Sequence, residues 1–247
     1  MTSTRKAIVM GASSGMGREM ALLLLADGWQ VGVAARRADA LEELRQQYPE
    51  QVTALPIDVT DEDAGEKLLQ LAERMGGMDL YFHASGIGKQ NPDVDAKIEL
   101  KTVATNGMGF TRMIDAAFGY MAEHGGGHIA AITSVAGTKG LGMAPSYSAT
   151  KAFQNTYLQA LEQLANMRKL NIRFTDIRPG FVATALLDGE HSYPMLMDVK
   201  TTSQQIFKAV KAKKHIAIVD WRYRLLIAAW RRLPKCLWRH LPIKTKK

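Results

Sequence analysis

The sequence predicts a doubly wound α/β domain, a seven-stranded parallel sheet with helices on both faces. Three observations predict it. Short, near-continuous apolar runs recur along the chain, as in parallel strands covered on both sides. Helical patterns separate these runs, which is the signature of crossover connections between parallel strands. A glycine-rich turn, "MGASSGMG", joins the first run to the first helix.

In chain order, strands are expected at 6–10, 30–35, 51–57, 80–83, 128–134, 172–178 and 215–219. Helices are expected between them at 16–27, 38–47, 62–75, 100–123, 146–167 and 201–212. The chain leaves its first six strands through "GASSG", "ARR", "DVTDED", "HASG", "SVAG" and "RPGFVAT". In open α/β sheets, ligands bind at these carboxyl ends, near the point where the strand order reverses. Residues 1–219 are expected to form one domain, with a substrate lid at 185–200 and a tail of different character at 220–247. No internal repeat and no low-complexity linker interrupts the pattern.

Composition narrows the function. The chain has 247 residues, 47% hydrophobic and 23% charged, enough to bury a sizeable core. A single cysteine, Cys236, excludes an internal disulfide. Neither CxxC nor HExxH spacing occurs among that cysteine and the six histidines, so no metal site is expected. "MTSTRKAIVMG" enters the first strand without the apolar core of a secretory leader, and no apolar run nears the roughly 18 residues of a spanning helix. The expectation is a cytoplasmic protein. The net charge of +8 is concentrated, because residues 220–247 hold nine Lys or Arg against one Asp. The preceding body is neutral overall and has no general attraction for polyanions.

The glycine turn points to a nucleotide. Gly11, Gly15 and Gly17 permit a tight turn and bring backbone N–H groups near a pyrophosphate at the helix N-terminus, where the helix dipole favours anions. Ser13 and Ser14 add hydroxyl donors, and Met16 belongs to the same turn. The second strand ends at Ala35, where an acidic residue would hold the adenosine ribose. Arg36 and Arg37 follow, and guanidinium donors suit a phosphate, so NADP(H) is expected in preference to NAD(H). Asp58 can accept from the adenine amino group with Val59 against the ring, while capping of the next helix by Asp58 or Thr60 is the competing structural role. Ala84 and Gly86 are small enough for backbone to lie close to the nucleotide.

"SYSATKAFQNTYLQAL", residues 146–161, sets Tyr147 four residues before Lys151, on one face of a helix. A phenol ionises near pH 10, so bringing it to neutrality needs about 3 pH units, or about 4 kcal/mol. A neighbouring ammonium has the correct sign to stabilise the phenolate. Ser134 lies thirteen residues before Tyr147, and Asn106 twenty-eight before Ser134.

"GASSGMG", "DVT", "HASG", "NGMG", "ITSVAG", "YSATK" and "RPGFVAT" together resemble the short-chain dehydrogenase/reductase family in order and spacing, over residues 5 to about 219. The resemblance implies a Rossmann-type fold and NAD(P)-dependent oxidoreduction at a carbonyl or alcohol carbon. It implies that Tyr147 is the general acid during reduction and that Ser134 orients the carbonyl oxygen. Lys151 is then expected to hold the nicotinamide ribose and lower the tyrosine pKa, and Asn106 to hold a water that links Lys151 to solvent. Pro179 and Gly180 make a turn in the family pattern, and Val182 and Thr184 contact the carboxamide. Two departures stand out. Met10 occupies the place of the usual threonine, and His83-Ala84-Ser85-Gly86 replaces Asn-Asn-Ala-Gly. His83 is read as a strand-end histidine with its hydrogen bonds satisfied.

In the lid, Leu186, Leu187, Tyr193, Met195, Leu196 and Met197 suggest an adaptable apolar wall, with His191 as a polar contact; the alternative is a loop that packs these residues on the body. In the tail, a continuous helix would set Leu226, Trp230, Leu233, Leu237 and Leu241 opposite Arg224, Arg231, Arg232, Lys235 and Arg239, though Pro234 divides it in two. Three roles stay open for it: peripheral contact with anionic lipid at the inner face of a membrane, docking on the body or a partner subunit, and nucleic-acid contact, the least favoured. The expected function is NADPH-dependent reduction of a ketone or aldehyde of an apolar substrate, with a lipid-derived substrate as an extension suggested by the lid and the tail. The alternative is a non-catalytic NADP(H)-sensing scaffold that works through its tail. By family analogy a homodimer or homotetramer is expected, paired through the helices at 100–123 and 146–167.

Overall fold

The computed structural model describes residues 4–187 and 193–243. Strands β1 Lys6–Met10, β2 Gln30–Ala35, β3 Val52–Pro56, β4 Leu80–His83, β5 Gly127–Ile132, β6 Ile172–Arg178 and β7 Ile216–Ile218 form one sheet in the order β3-β2-β1-β4-β5-β6-β7. Every adjacent pair is parallel. The order reverses between β1 and β4, which puts the crevice where such sheets bind ligands at the carboxyl ends of these strands.

The apolar runs are explained by burial on both faces. In β1, Ala7 and Val9 enter one core while Ile8 and Met10 enter the other, all fully buried. Helices α1 Gly15–Ala26 and α2 Ala38–Gln47 pack into the first core through Met20, Leu24, Leu41 and Leu44. Helix α3 Ala64–Arg74 packs into the second through Leu68 and Leu71. Helices α4 Ala96–Val103, α5 Phe110–Glu123 and α6 Pro145–Met167 lie on that same side, with Phe110, Met113 and Leu158 buried. Helix α7 Val199–Lys211 returns to the first core through Ile206 and Val210.

Several boundaries move for identifiable reasons. The helix expected at 100–123 starts at Ala96, because Asp95 caps it by accepting from Lys97 N at 2.8 Å. It is also not one regular helix: residues Ala104–Gly109 are a π-helical segment between α4 and α5. The strand expected at 128–134 stops at Ile132, because Ser134 caps a 3₁₀ turn at Val135–Thr138, its Oγ accepting from Ala136 N at 3.0 Å. The helix expected from 201 starts at Val199, where the Asp198 carboxylate accepts from Thr201 N at 2.8 Å. Asp58 caps nothing; its Oδ1 closes a local turn onto Thr60 N and Oγ1 at 3.0 and 2.8 Å, and α3 begins at Ala64.

The tail breaks at Pro234 into α8 Trp221–Arg232 and α9 Lys235–Trp238. It docks on the body. Tyr223 and Ile227 are 2% and 1% exposed and join the first core. The Tyr223 hydroxyl accepts from Phe181 N at 3.0 Å and donates to Pro194 O at 2.9 Å. Trp238 Nε1 donates to Gly140 O at 2.8 Å, and Lys139 Nζ to Leu233 O at 2.9 Å. A single helical wheel fails here because Pro234 rotates the two pieces independently, leaving Leu237 and Leu241 exposed. The outward side of α8 presents Trp221 and Leu225 together with Arg232. Among the described residues, no helix is long and apolar enough to cross a membrane.

Candidate active site

The glycine turn is built for close approach. Gly11 and Gly15 have φ of 91° and 55°, in the left-handed region that favours glycine. A side chain on Gly11 would lie 2.8 Å from the Ala84 carbonyl carbon, and one on Gly17 would lie 2.2 Å from Gly11 O. The turn, the first turn of α1 and the β4 loop therefore lie backbone against backbone. Ser14 is the N-cap residue of α1, but its side chain makes no capping bond and is exposed. The first amides of α1 are thus without a side-chain cap. Thr184, from the loop after β6, brings its methyl within 3.4 Å of the position a Gly15 side chain would take. This cradle fits a nucleotide diphosphate.

Around it the remaining nucleotide candidates divide. Arg37 donates to Ser13 O at 3.0 Å and Ser13 Oγ at 3.2 Å, which holds its guanidinium at the rim of the turn. Arg36 is exposed, 3.9 Å from Asp58 Oδ2. Met16 is only partly buried, against the first core. Val59, expected to pack on an adenine, is 3% exposed and buried under Gly109, whose absent side chain would strike it at 2.9 Å. After β6, Pro179 O accepts from Val135 N at 3.1 Å, and Gly180 lies flat on the Tyr223 ring. The Val182 side chain is buried, and its segment pairs with Met197.

The proposed catalytic residues converge beside the β4 and β5 ends. Pro145 starts α6 at N1, where its missing N–H costs nothing. Tyr147, on the first turn, is half-buried, with the Ser134 side chain near enough to oppose the rise in its pKa. Lys151 is 4% exposed, donates to Ile132 O at 3.1 Å, and lies 5.8 Å from the Tyr147 ring centre. Asn106 is buried in the π segment and clasps the β4 loop, accepting from Ile87 N at 2.9 Å and donating to Ile87 O at 2.7 Å. Gly86 opens onto both, since a side chain there would lie 3.3 Å from Asn106 Oδ1 and 3.7 Å from Lys151 Nζ.

Two further residues belong to the site. Gly88 lies against the Tyr147 ring, and a methyl there would be 2.7 Å from two ring carbons. Gln154, fully buried, accepts from Lys151 Nζ at 2.9 Å and donates to Asn106 O at 2.9 Å. Gln154 thus bridges Lys151 to the Asn106 main-chain carbonyl directly. Gln154 had a sequence signal, a polar residue three positions after Lys151 on the buried face of α6; Gly88 had none.

The electrostatics differ from expectation at Tyr147. Burial raises its pKa and the Ser134 hydrogen bond opposes this, so in the free protein the phenol holds its proton. Burial lowers Lys151 to about 8, opposed by the Asp176 carboxylate. Asp176 is held by Thr133 Oγ1 at 2.5 Å and Arg178 Nε at 2.8 Å. His83 is only half satisfied: Nδ1 bonds the Tyr81 hydroxyl at 2.8 Å, while Nε2 makes no hydrogen bond among the described residues. Burial, with Lys151 nearby, lowers its pKa to about 3.

Of the lid, His191 lies outside the described residues. Met197 is buried in the core with Met195 packed on it, whereas Leu186 and Leu196 are exposed at 40% and 49%, so the expected wall is only partly free. A shallow depression of about 600 Å³ opens between the π segment and α6, lined by Val103, Met108, Ala149 and Phe153 among others. No group of three or more potential metal ligands occurs among the described residues.

The family model described as short chain dehydrogenase matches residues 5–193. An uncharacterised oxidoreductase of Myxococcus xanthus is 36% identical over 199 residues, 78% of each chain. One of Mycobacterium tuberculosis is 30% identical over 226 residues, 88% of each chain. A 3-ketoacyl-ACP reductase from Sinorhizobium meliloti superposes with a TM-score of 0.78 at 25% identity, covering 90% of this chain and 99% of that one. A short chain dehydrogenase from Burkholderia cenocepacia in complex with NADP superposes with a TM-score of 0.83, covering 98% of both chains; at 19% identity it shows the fold alone. With strands, glycine turn and matched length in agreement, this chain belongs to the short-chain dehydrogenase family and is an NAD(P)-dependent oxidoreductase.

Proposed function

We propose that the protein is an NADPH-preferring reductase of a ketone or aldehyde carried on an apolar, lipid-derived molecule, with Tyr147 as proton donor. One observation carries this reading: the Tyr147 phenol, kept protonated by burial, stands beside the Ser134 side chain and the buried Lys151.

When bound, the nicotinamide nucleotide supplies the hydride. The chain does the rest. Gly11, Gly15 and Gly17 admit the diphosphate to the α1 N-terminus, and Ser13, Ser14, Ala84 and Gly86 border it. Ser134 directs the carbonyl oxygen to the Tyr147 hydroxyl, which releases its proton as negative charge develops there. Lys151 holds the ribose hydroxyls, and its ammonium offsets the charge left on the phenolate. Asn106 fixes the β4 loop beside them. Pro179, Gly180, Val182 and Thr184 form the loop that would hold the carboxamide when the nucleotide is bound.

The NADPH preference is supported by Arg36 and Arg37, exposed at the end of β2 where no acid stands. The apolar substrate is supported by Leu186 and Leu196 and by the likeness to a 3-ketoacyl-ACP reductase. The exposed apolar side chains Leu100, Val103 and Met108 on α4 and the π segment, at 69%, 43% and 62%, support a homodimer or homotetramer. Trp221, Leu225 and Arg232 support peripheral contact of α8 with anionic lipid. A sensor without turnover has no use for the Ser134, Tyr147 and Lys151 arrangement.

The test is a panel of carbonyl compounds, including long-chain ketones, followed by NADPH and NADH consumption. Tyr147→Phe should keep nucleotide binding and lose at least about 100-fold in rate. Full activity in that variant, or equal efficiency with NADH, would overturn the corresponding part of the proposal.

A further inference from the structure

We propose that Gln154 is a positioning residue, whose carboxamide braces Lys151 against the Asn106 main-chain carbonyl so that the ammonium faces the nucleotide side of the site. The inference rests on the reductase reading for its purpose, but its geometry stands independently. Gln154 is 0% exposed and follows Lys151 by three residues and Tyr147 by seven, on the same face of α6. Its Oε1 accepts from Lys151 Nζ and its Nε2 donates to Asn106 O, both at 2.9 Å. Only this orientation is chemically allowed, because an ammonium can only donate and a carbonyl can only accept.

The Asn106 carbonyl is available because of the π segment. The Phe110 amide, which in an α-helix would bond it, bonds Thr105 O and Gly107 O instead. The slipped register thus frees one carbonyl beside Lys151, and Gln154 fills it. Of the three N–H groups of Lys151, one goes to Gln154 and one to Ile132 O, leaving the third for a ribose hydroxyl. An amide does not relay protons without becoming an imidic acid, so the bridge is a fixed brace. The titratable groups around Lys151 are Tyr147 on α6, His83 on β4 and Asp176 on β6; Gln154 is the neutral acceptor among them.

The test uses the nucleotide-free full chain labelled with ¹³C-lysine, reading the Lys151 ε-carbon signal against pH; Lys151→Arg assigns it. The native midpoint is expected near 8. Gln154→Leu should lower it by about one pH unit and Gln154→Glu raise it by at least as much, because one removes an acceptor from the ammonium and the other supplies an opposite charge. In turnover, the alkaline limb of kcat should move with the midpoint in each variant. Unmoved midpoints in both variants would reduce Gln154 to a space-filler and overturn the proposal. If Gln154→Leu fails to fold, the isosteric Gln154→Glu decides alone. Midpoints that move in a chain that reduces no carbonyl would sustain the brace and remove the reductase reading.

Discussion

His83 and His128 have the same physical chemistry and different tasks. His83 lies under the site at the end of β4, while His128 is buried in β5, with Nε2 on Thr175 Oγ1 at 2.8 Å. Desolvation lowers His83 to about 3 and His128 to about 4. Both are neutral in the fold, whereas in the unfolded chain they titrate near 6.5. Below that pH the unfolded chain takes up protons that the folded one refuses. The stability contribution is complete above about 6.5 and is lost as pH falls, at about 1.4 kcal/mol per pH unit for each ring. Melting temperature should therefore drop between pH 7 and pH 5, above the range where carboxylates titrate, and His83→Asn should flatten the drop. An identical slope in that variant would contradict the assignment. At this scale the sequence was readable where helix spacing places residues together, as with Tyr147 and Lys151, which lie 5.8 Å apart from ring centre to Nζ. Gly88 was not readable, because its importance is contact with a ring distant in the chain.

The β4 loop holds the phenol in place from one side, at Gly88, as α6 does from the other. A methyl at Gly88 has no room against the Tyr147 ring, so ring or loop must move. Displacements of about 1 Å in a catalytic group cost up to about 100-fold. Gly88→Ala should lower kcat by about 10- to 100-fold while the melting temperature changes little, measured by steady-state kinetics beside thermal unfolding; native kcat would show that the ring is not held there. Strands were legible as elements because burial on both faces makes them apolar throughout. The π segment was not, since "ATNGMG" continues the helical pattern and only the hydrogen-bond register reveals the slip.

At the scale of the whole molecule, the charge asymmetry visible in the sequence persists, but the tail is part of the body. Tyr223 and Ile227 fill the first core, so removing everything after Val219 would open it. The lipid hypothesis is better tested on the outward side of α8. Trp221→Ser with Leu225→Ser should leave melting and catalysis intact and reduce sedimentation with anionic liposomes by about tenfold or more, as expected from lost interfacial apolar area. Equal sedimentation would end the idea. The docking was hidden because a helical wheel assigns sides only while the helix continues, and Pro234 ends it.

A crystal structure of the full chain with NADP⁺ tests the central claim most directly, because it needs no knowledge of the substrate. The account predicts the nicotinamide ribose hydroxyls on the third N–H of Lys151, at about 2.7–3.2 Å, with the Tyr147 hydroxyl beside the ring. A nicotinamide bound away from both side chains, with Lys151 still held by Ile132 O and Gln154, would contradict it.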